Sequence, residues 1–458
     1  MRQLLAASTG ALILACHGPA AAQMHFNRIA SFPVSANLPD GTDPDTETSA
    51  EIIAATEDGM TLAYSDSPLG VIGLIDITDP AAPAAAGTVA LEGEPTAVAI
   101  LGSDTAFVGL NTSESFTEPT GALAAIDIAG RSVAATCDLG GQPDSVAVAL
   151  DGAFVAVAIE NERDEDLNDG VIPQLPAGFV AIVPLEAGVM QCDAVIAADL
   201  TGLADVAPED PEPEFVDINA AGEIVVTLQE NIHLAILSPD GAVLSHFSAG
   251  SVDLTGIDTS EDGALIFAED QPGRLREPDA VKWIGTDHVA IANEGDYEGG
   301  SRGFTIFGRD GEVVFESAGD FEYAVIAAGH YPDERSGNKG VEPEGMEVAT
   351  FDGQEVLFLL SERGSMVGVY DLDGTTPTLR QLLPSGIAPE GAVAIPERGL
   401  FVTANEADLI EDGGARAHVM IYELQDAPPA YPTITSQGAD ALIGWGALSG
   451  LAADPETP

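Results

Sequence analysis

Basic residues are almost missing from this chain: 15 Lys and Arg stand against 75 Asp and Glu, a formal net charge of −60 over 458 residues. Proteins bind a phosphate backbone by placing Lys and Arg where counterions sat, so nucleic-acid binding is excluded as a function class. An anionic membrane surface is disfavoured by the same sign of charge. Cations, or substrates carried with cations, suit such a surface, and solubility in a salty or extracellular medium accounts for many of the carboxylates. Aromatics are sparse at 5%, and there are only three cysteines. The hydrophobic share is still 45%, ample for a core, so the acidity does not signal disorder. No apolar run reaches the roughly 20 residues that a membrane-spanning helix needs. Catalytic signatures are missing too. "SERGS" and "GALSG" do not make a nucleophile elbow, and no H-E-x-x-H, P-loop or dinucleotide fingerprint is present.

The N-terminus reads as an export signal. Arg2 precedes a short apolar stretch at residues 4–15, and Ala20-Ala21-Ala22 offers a cleavage site before Gln23. Residues 1–22 are therefore expected to be a signal peptide, with the protein exported to the periplasm or the extracellular medium. Cys16 after "LILA" offers lipid anchoring as the alternative, although Leu14 fits that signal poorly. Cys137 and Cys192 are then the cysteines left. In an oxidising compartment they can pair or remain two separate thiols.

What the chain has in abundance is repetition. "GEPTAVAI", "GQPDSVAV", "PEPEFVDI", "REPDAVKW", "VEPEGMEV" and "IAPEGAVA" each place a proline and a small or acidic residue before an alternating apolar run. "TSAEIIAA" is a degenerate first copy without the proline, which makes seven. Each copy is followed by a turn and a second apolar run that ends in polar residues, such as "FVAVAIENE", "IVVTLQEN", "HVAIANEG", "VLFLLSERG" and "LFVTANEAD". A third run ("VIGLIDI", "MVGVYDL", "HVMIYEL") and a less regular fourth complete the unit. Short alternating runs rich in Val, Ile and Ala are strands, and helical periodicity is nearly absent. Four antiparallel strands repeated seven times predict an all-β, seven-bladed β-propeller over residues 23–426. The mean repeat of roughly 53 residues is long for a blade and implies loop insertions. The run at residues 25–34, "HFNRIASFPV", has no partner in its own unit. It is expected to supply the outer strand of the last blade and close the ring, which shields an edge. Residues 427–458 begin with a proline-rich linker and read as the incomplete start of a second domain.

The propeller sets an expectation for the acids. The innermost strand of each blade lines the central channel, so the proline loops form a ring at one face. Asp144, Glu212, Glu214, Glu277, Asp279, Glu342, Glu344 and Glu390 should converge there, beside Glu160, Glu162, Glu230, Glu294, Glu362 and Glu406 from the ends of the second strands. In one reading the proline fixes φ and the carboxylates cap backbone N–H groups of the neighbouring blade. In the other they collect a hard divalent cation, calcium above all, with Glu212, Glu214, Glu277, Asp279, Glu294, Glu342, Glu344 and Glu390 as candidate ligands. The acidic loop "ENERDEDLNDG" does not match an EF-hand and reads as solvated surface. The few basic residues are unevenly placed. Arg274, Arg276, Lys282, Arg302, Arg335, Lys339 and Arg363 fall in the fifth and sixth units. Arginine forks among metal-binding acids suit a small anionic ligand such as a phosphate ester. The candidate ligand contacts are Arg302, Arg335, Lys339, Arg363 and His330; the bland alternative is ion pairing with nearby acids.

The stretches "QPDSVAVALDGAFVAVAIENERDEDLNDG", "ANEGDYEGGSRGFTIF" and "VEPEGMEV…LFLLSERGSMVGVYDL" resemble the choice-of-anchor I family of exported bacterial β-propellers over residues 25–424. The tail "WGALSGLAADPETP" is similar to the start of an esterase-like phytase domain. The resemblance implies a propeller and export, and transfers no catalytic residue. Two functions are therefore weighed: a cation- and anion-binding propeller that acts as a metal-dependent phosphoester hydrolase, and a non-catalytic binding or scaffold module of the cell envelope with any chemistry in an attached domain.

Overall fold

In the computed structural model, residues 24–431, 433–446 and 448 are described, and the expected signal peptide and Cys16 lie outside them. Seven antiparallel sheets are wheeled about one axis. Their innermost strands are Ile53–Ala55, Glu94–Leu101, Pro143–Val148, Pro213–Ile218, Val281–Ile284, Pro343–Phe351 and Pro389–Ile395. These belong to blades one to seven in chain order. The expected all-β propeller is what the chain forms.

Burial explains why the runs read as they do. Second strands are covered on both faces by neighbouring blades, so Phe154–Ile159, Ile224–Leu228 and Leu400–Asn405 are buried at every position. Continuous apolar residues are the consequence. Outer strands such as Ser132–Asp138 face water and are exposed at all positions but Cys137. That residue forms a disulfide with Cys192, which joins the rims of blades two and three.

The ring closes through the N-terminus. His25–Pro33 pairs antiparallel with His418–Gln425, from His25 opposite Gln425 to Pro33 opposite His418. Phe26 is wholly buried and meets the rings of Phe351, Phe358 and Phe401 edge-on. The last blade is thus built from both ends of the propeller and removes an exposed edge.

Insertions account for the long repeat. A hairpin, Ser251–Ile257 with Glu269–Leu275, stands between blades four and five. A helix, Asp320–Ala327, stands between blades five and six. Residues 433–446 form no helix or strand, and the Trp445 indole N–H donates to the Ala327 carbonyl at 3.0 Å.

Candidate functional site: the acidic channel mouth

The proline motif makes its site through a backbone irregularity. In blades three, four, six and seven the proline pairs with the second strand, and the ladder then skips before it resumes: Pro143/Val146, Pro213/Val216, Pro343/Met346 and Pro389/Ala392. Such a bulge re-aims the side chain within it. The residue so placed is Asp144, Glu214, Glu344 or Glu390. These four and Asp279 line the central channel, a cavity of about 360 Å³ bounded by the inner strands of all seven blades. In blades six and seven, close blade approach needs glycine at the next position. A Cβ on Gly345 would sit 2.0 Å from the Glu390 carbonyl oxygen, and one on Gly391 would sit 2.3 Å from that of Glu51.

Negative charge is concentrated in this ring. Burial first, and repulsion by Glu162, push Asp144 up to about 7. Burial first, then repulsion by their own neighbouring carboxylates, holds Glu214, Asp279, Glu344 and Glu390 well above the ordinary carboxylate range. Among the described residues, Oε2 of Glu344 and Oε2 of Glu390 have no hydrogen-bond partner. Lys282 also lines the channel, pairs with Glu347 at 3.3 Å and lies over the Phe215 ring.

The glutamate before the proline belongs to a second tier. Three blades share the sequence Glu-Pro-Asp/Glu, and the structure gives its first glutamate three different fates. Glu277 accepts the backbone N–H groups of Asp296, Tyr297 and Glu298 at 2.6–2.8 Å, a capping role within its own blade. Glu342 is gripped by Arg335 at 2.5 Å and Arg363 at 3.2 Å. Glu212 has neither kind of partner: both its carboxylate oxygens are buried and without a hydrogen bond among the described residues. Its backbone N–H is held by the Asn231 side chain at 2.9 Å, as Gln142 N–H is held by Asn161.

Two carboxylate triads result, each with oxygens within 4.8 Å of one another: Glu160, Glu212 and Glu230, and Glu294, Glu342 and Glu362. They differ in neutralisation. The second triad is met by Lys339 on Glu294 at 3.2 Å, Arg335 and Arg363 on Glu342, and Arg363 on Glu362 at 2.9 Å. The first has Arg163, which reaches Glu230 at 3.0 Å, Asp296 at 2.5 Å and Glu165 at 3.3 Å while lying over the Tyr297 ring. Burial, then repulsion by Asp210, pushes Glu212 up to about 8; burial and neighbouring acids also raise Glu160 and Glu230.

The predicted residues therefore divide. Arg335, Lys339 and Arg363 gather around one triad, and Arg363 keeps 45% of its side chain exposed. Arg302 lies elsewhere. It is wholly buried, paired with Glu322 at 3.2 Å and bonded to the Ser336 carbonyl at 2.8 Å, so it fastens the helix insertion. His330 accompanies it on the flank, facing the Gly364 carbonyl at 3.2 Å in a cavity bordered by Trp445. Arg274 and Arg276 bond mainly to carbonyls of Gly300 and Ala249 and to Glu316, steadying the inserted hairpin. Arg163 and Asp296 were not legible as site residues. The available signal was that Arg163 is the lone base in an eleven-residue acidic loop.

A seven-bladed propeller with a carboxylate-lined channel is the class that fold and mouth define. A family model, the choice-of-anchor I domain, matches residues 51–299 and 297–375. The chain belongs to the choice-of-anchor I family, a propeller of the exported or cell-surface type. Among solved structures it is similar to the hydrazine synthase of Kuenenia stuttgartiensis, with a TM-score of 0.51 and 14% identity over 84% of this chain and 98% of that one. At that identity the likeness concerns the fold alone. No curated protein matches the chain. Among the described residues no helix is long and apolar enough to cross a membrane.

Proposed function

We propose that this propeller works outside the cytoplasm as a binding module whose channel mouth takes a small anionic ligand together with a divalent cation. One observation carries this reading. The mouth holds an acid triad left largely unneutralised, Glu160–Glu212–Glu230, and a second triad dressed with Lys339, Arg335 and Arg363. A cation suits the first and an anion suits the partly exposed arginine rim of the second. A phosphate or phosphate ester has the charge to bridge the two. Metal and guanidinium around one phosphoryl group are also the electrostatic half of phosphoester hydrolysis, so turnover decides between a binder and a hydrolase.

The test is calorimetric titration of inorganic phosphate into the protein with calcium and after chelation, alongside release of product from a generic phosphomonoester. Phosphate binding that needs calcium is the expected result. Equal binding with and without calcium, or none in either state, refutes it.

A further inference from the structure

The geometry points to Glu160, Glu212 and Glu230, contributed by blades three and four, as the specific seat of a divalent cation, calcium. This rests on the mouth-binding reading and locates its metal.

Three observations converge. The first is distance. Carboxylate oxygens from the three residues lie within 4.8 Å of one another. Two ligands of one calcium ion stand at most about 5.2 Å apart, twice its usual 2.3–2.6 Å bond, so the three are near enough to share one ion. Magnesium demands a near-ideal octahedron and keeps several of its waters, so a buried set of three carboxylates suits calcium better.

The second is the state of Glu212. The residue is 1% exposed, and Glu230 is 2% exposed. Both oxygens of Glu212 and Oε2 of Glu230 lack partners among the described residues. A buried carboxylate without hydrogen bonds is expensive, and native chains seldom keep one unless a ligand satisfies it. The comparison inside the chain is direct. Glu277 and Glu342 hold the same place before a proline, and each is satisfied, one by three backbone N–H groups and one by two arginines. Glu212 alone of the three has been left with its oxygens open.

The third is charge. Arg163 divides its guanidinium among Glu230, Asp296 and Glu165. Among the described residues neither Glu160 nor Glu212 forms a salt bridge, and the attraction of Arg163 on Glu212 is outweighed by burial and Asp210, whereas Glu294, Glu342 and Glu362 meet Lys339, Arg335 and Arg363. A divalent ion supplies the missing positive charge at one site and would be redundant at the other. At one oxygen each, the three carboxylates leave several of the six to eight positions of calcium for water or for oxygens of the anionic ligand.

The test uses the full chain and calcium alone, titrated after chelation, with Glu212→Gln and Glu342→Gln as paired variants. Glu212→Gln is expected to weaken calcium binding by at least about tenfold, and Glu342→Gln to leave it unchanged. Glutamine at 212 removes a buried charge, so the variant should fold, and its circular dichroism spectrum checks this. Wild-type calcium affinity in folded Glu212→Gln overturns the assignment while leaving the mouth reading intact. Failure of the unaltered protein to bind calcium overturns both. Magnesium binding as tight as calcium refutes the choice of calcium as the ion.

Discussion

Asp66 offers a sharp test of how the buried acids at the mouth are held. It ends the second strand of blade one, is 1% exposed, and is pushed up to about 7 from an ordinary 3.8, first by burial and then by the Asp408 carboxylate. Its two backbone donors, the N–H groups of Ser49 and Leu69, both address the same oxygen, Oδ1, at 3.0 and 3.2 Å. Asparagine can keep that oxygen in place and cannot ionise. The sign follows from linkage. An acid whose folded value is raised stabilises the fold fully below its unfolded value and loses that contribution as pH climbs through the folded one. For Asp66 the window runs from about 3.8 to about 7, and the gap is worth roughly 4 kcal/mol at most. Asp66→Asn is therefore expected to be more stable than the parent at pH 8, by roughly 2–4 kcal/mol, with the advantage gone near pH 4. Chemical denaturation of both proteins in chelator at the two pH values measures it. A variant less stable than the parent at pH 8, or an advantage that does not change with pH, refutes the reasoning.

Two further expectations concern the frame. Phe26→Ala removes the aromatic that seats the closing strand against Phe351, Phe358 and Phe401, and should cost roughly 3–5 kcal/mol in denaturant unfolding; a loss under about 1 kcal/mol would mean the closing strand is not anchored there. Reducing the Cys137–Cys192 disulfide opens a loop of 55 residues and should lower stability by about 4 kcal/mol on the chain-entropy account, read from denaturation midpoints with and without reductant.

How the family likeness and the site relate is a matter of what each blade repeats. The proline and the acid after it recur in blades three to seven because these blades share the same entry into the inner strand, and in four of them a bulge there turns the acid into the channel. The glutamate before the proline is under no such common constraint. Its surroundings come from loops, and loops differ from blade to blade.

The sequence by itself determined the seven strand units, the closing role of residues 25–34 and the convergence of the acids after the prolines. All three follow from local signals: period-two alternation, a proline at fixed spacing, and an unpaired run at the chain start. Tertiary structure alone decided which carboxylates are free. Arg335 and Arg363 reach Glu342 from either side, a loop turns its N–H groups onto Glu277, and Arg163 from blade three reaches past Glu230 of blade four to Asp296 beyond blade four. Arg302, which reads as a ligand contact in the sequence, is instead enclosed with Glu322 beneath an inserted helix. The reason is physical: strand pattern is written along the chain, but a charge is neutralised by whatever the packing of blades and insertions carries within a few ångströms of it, and that neighbour has no fixed distance in sequence.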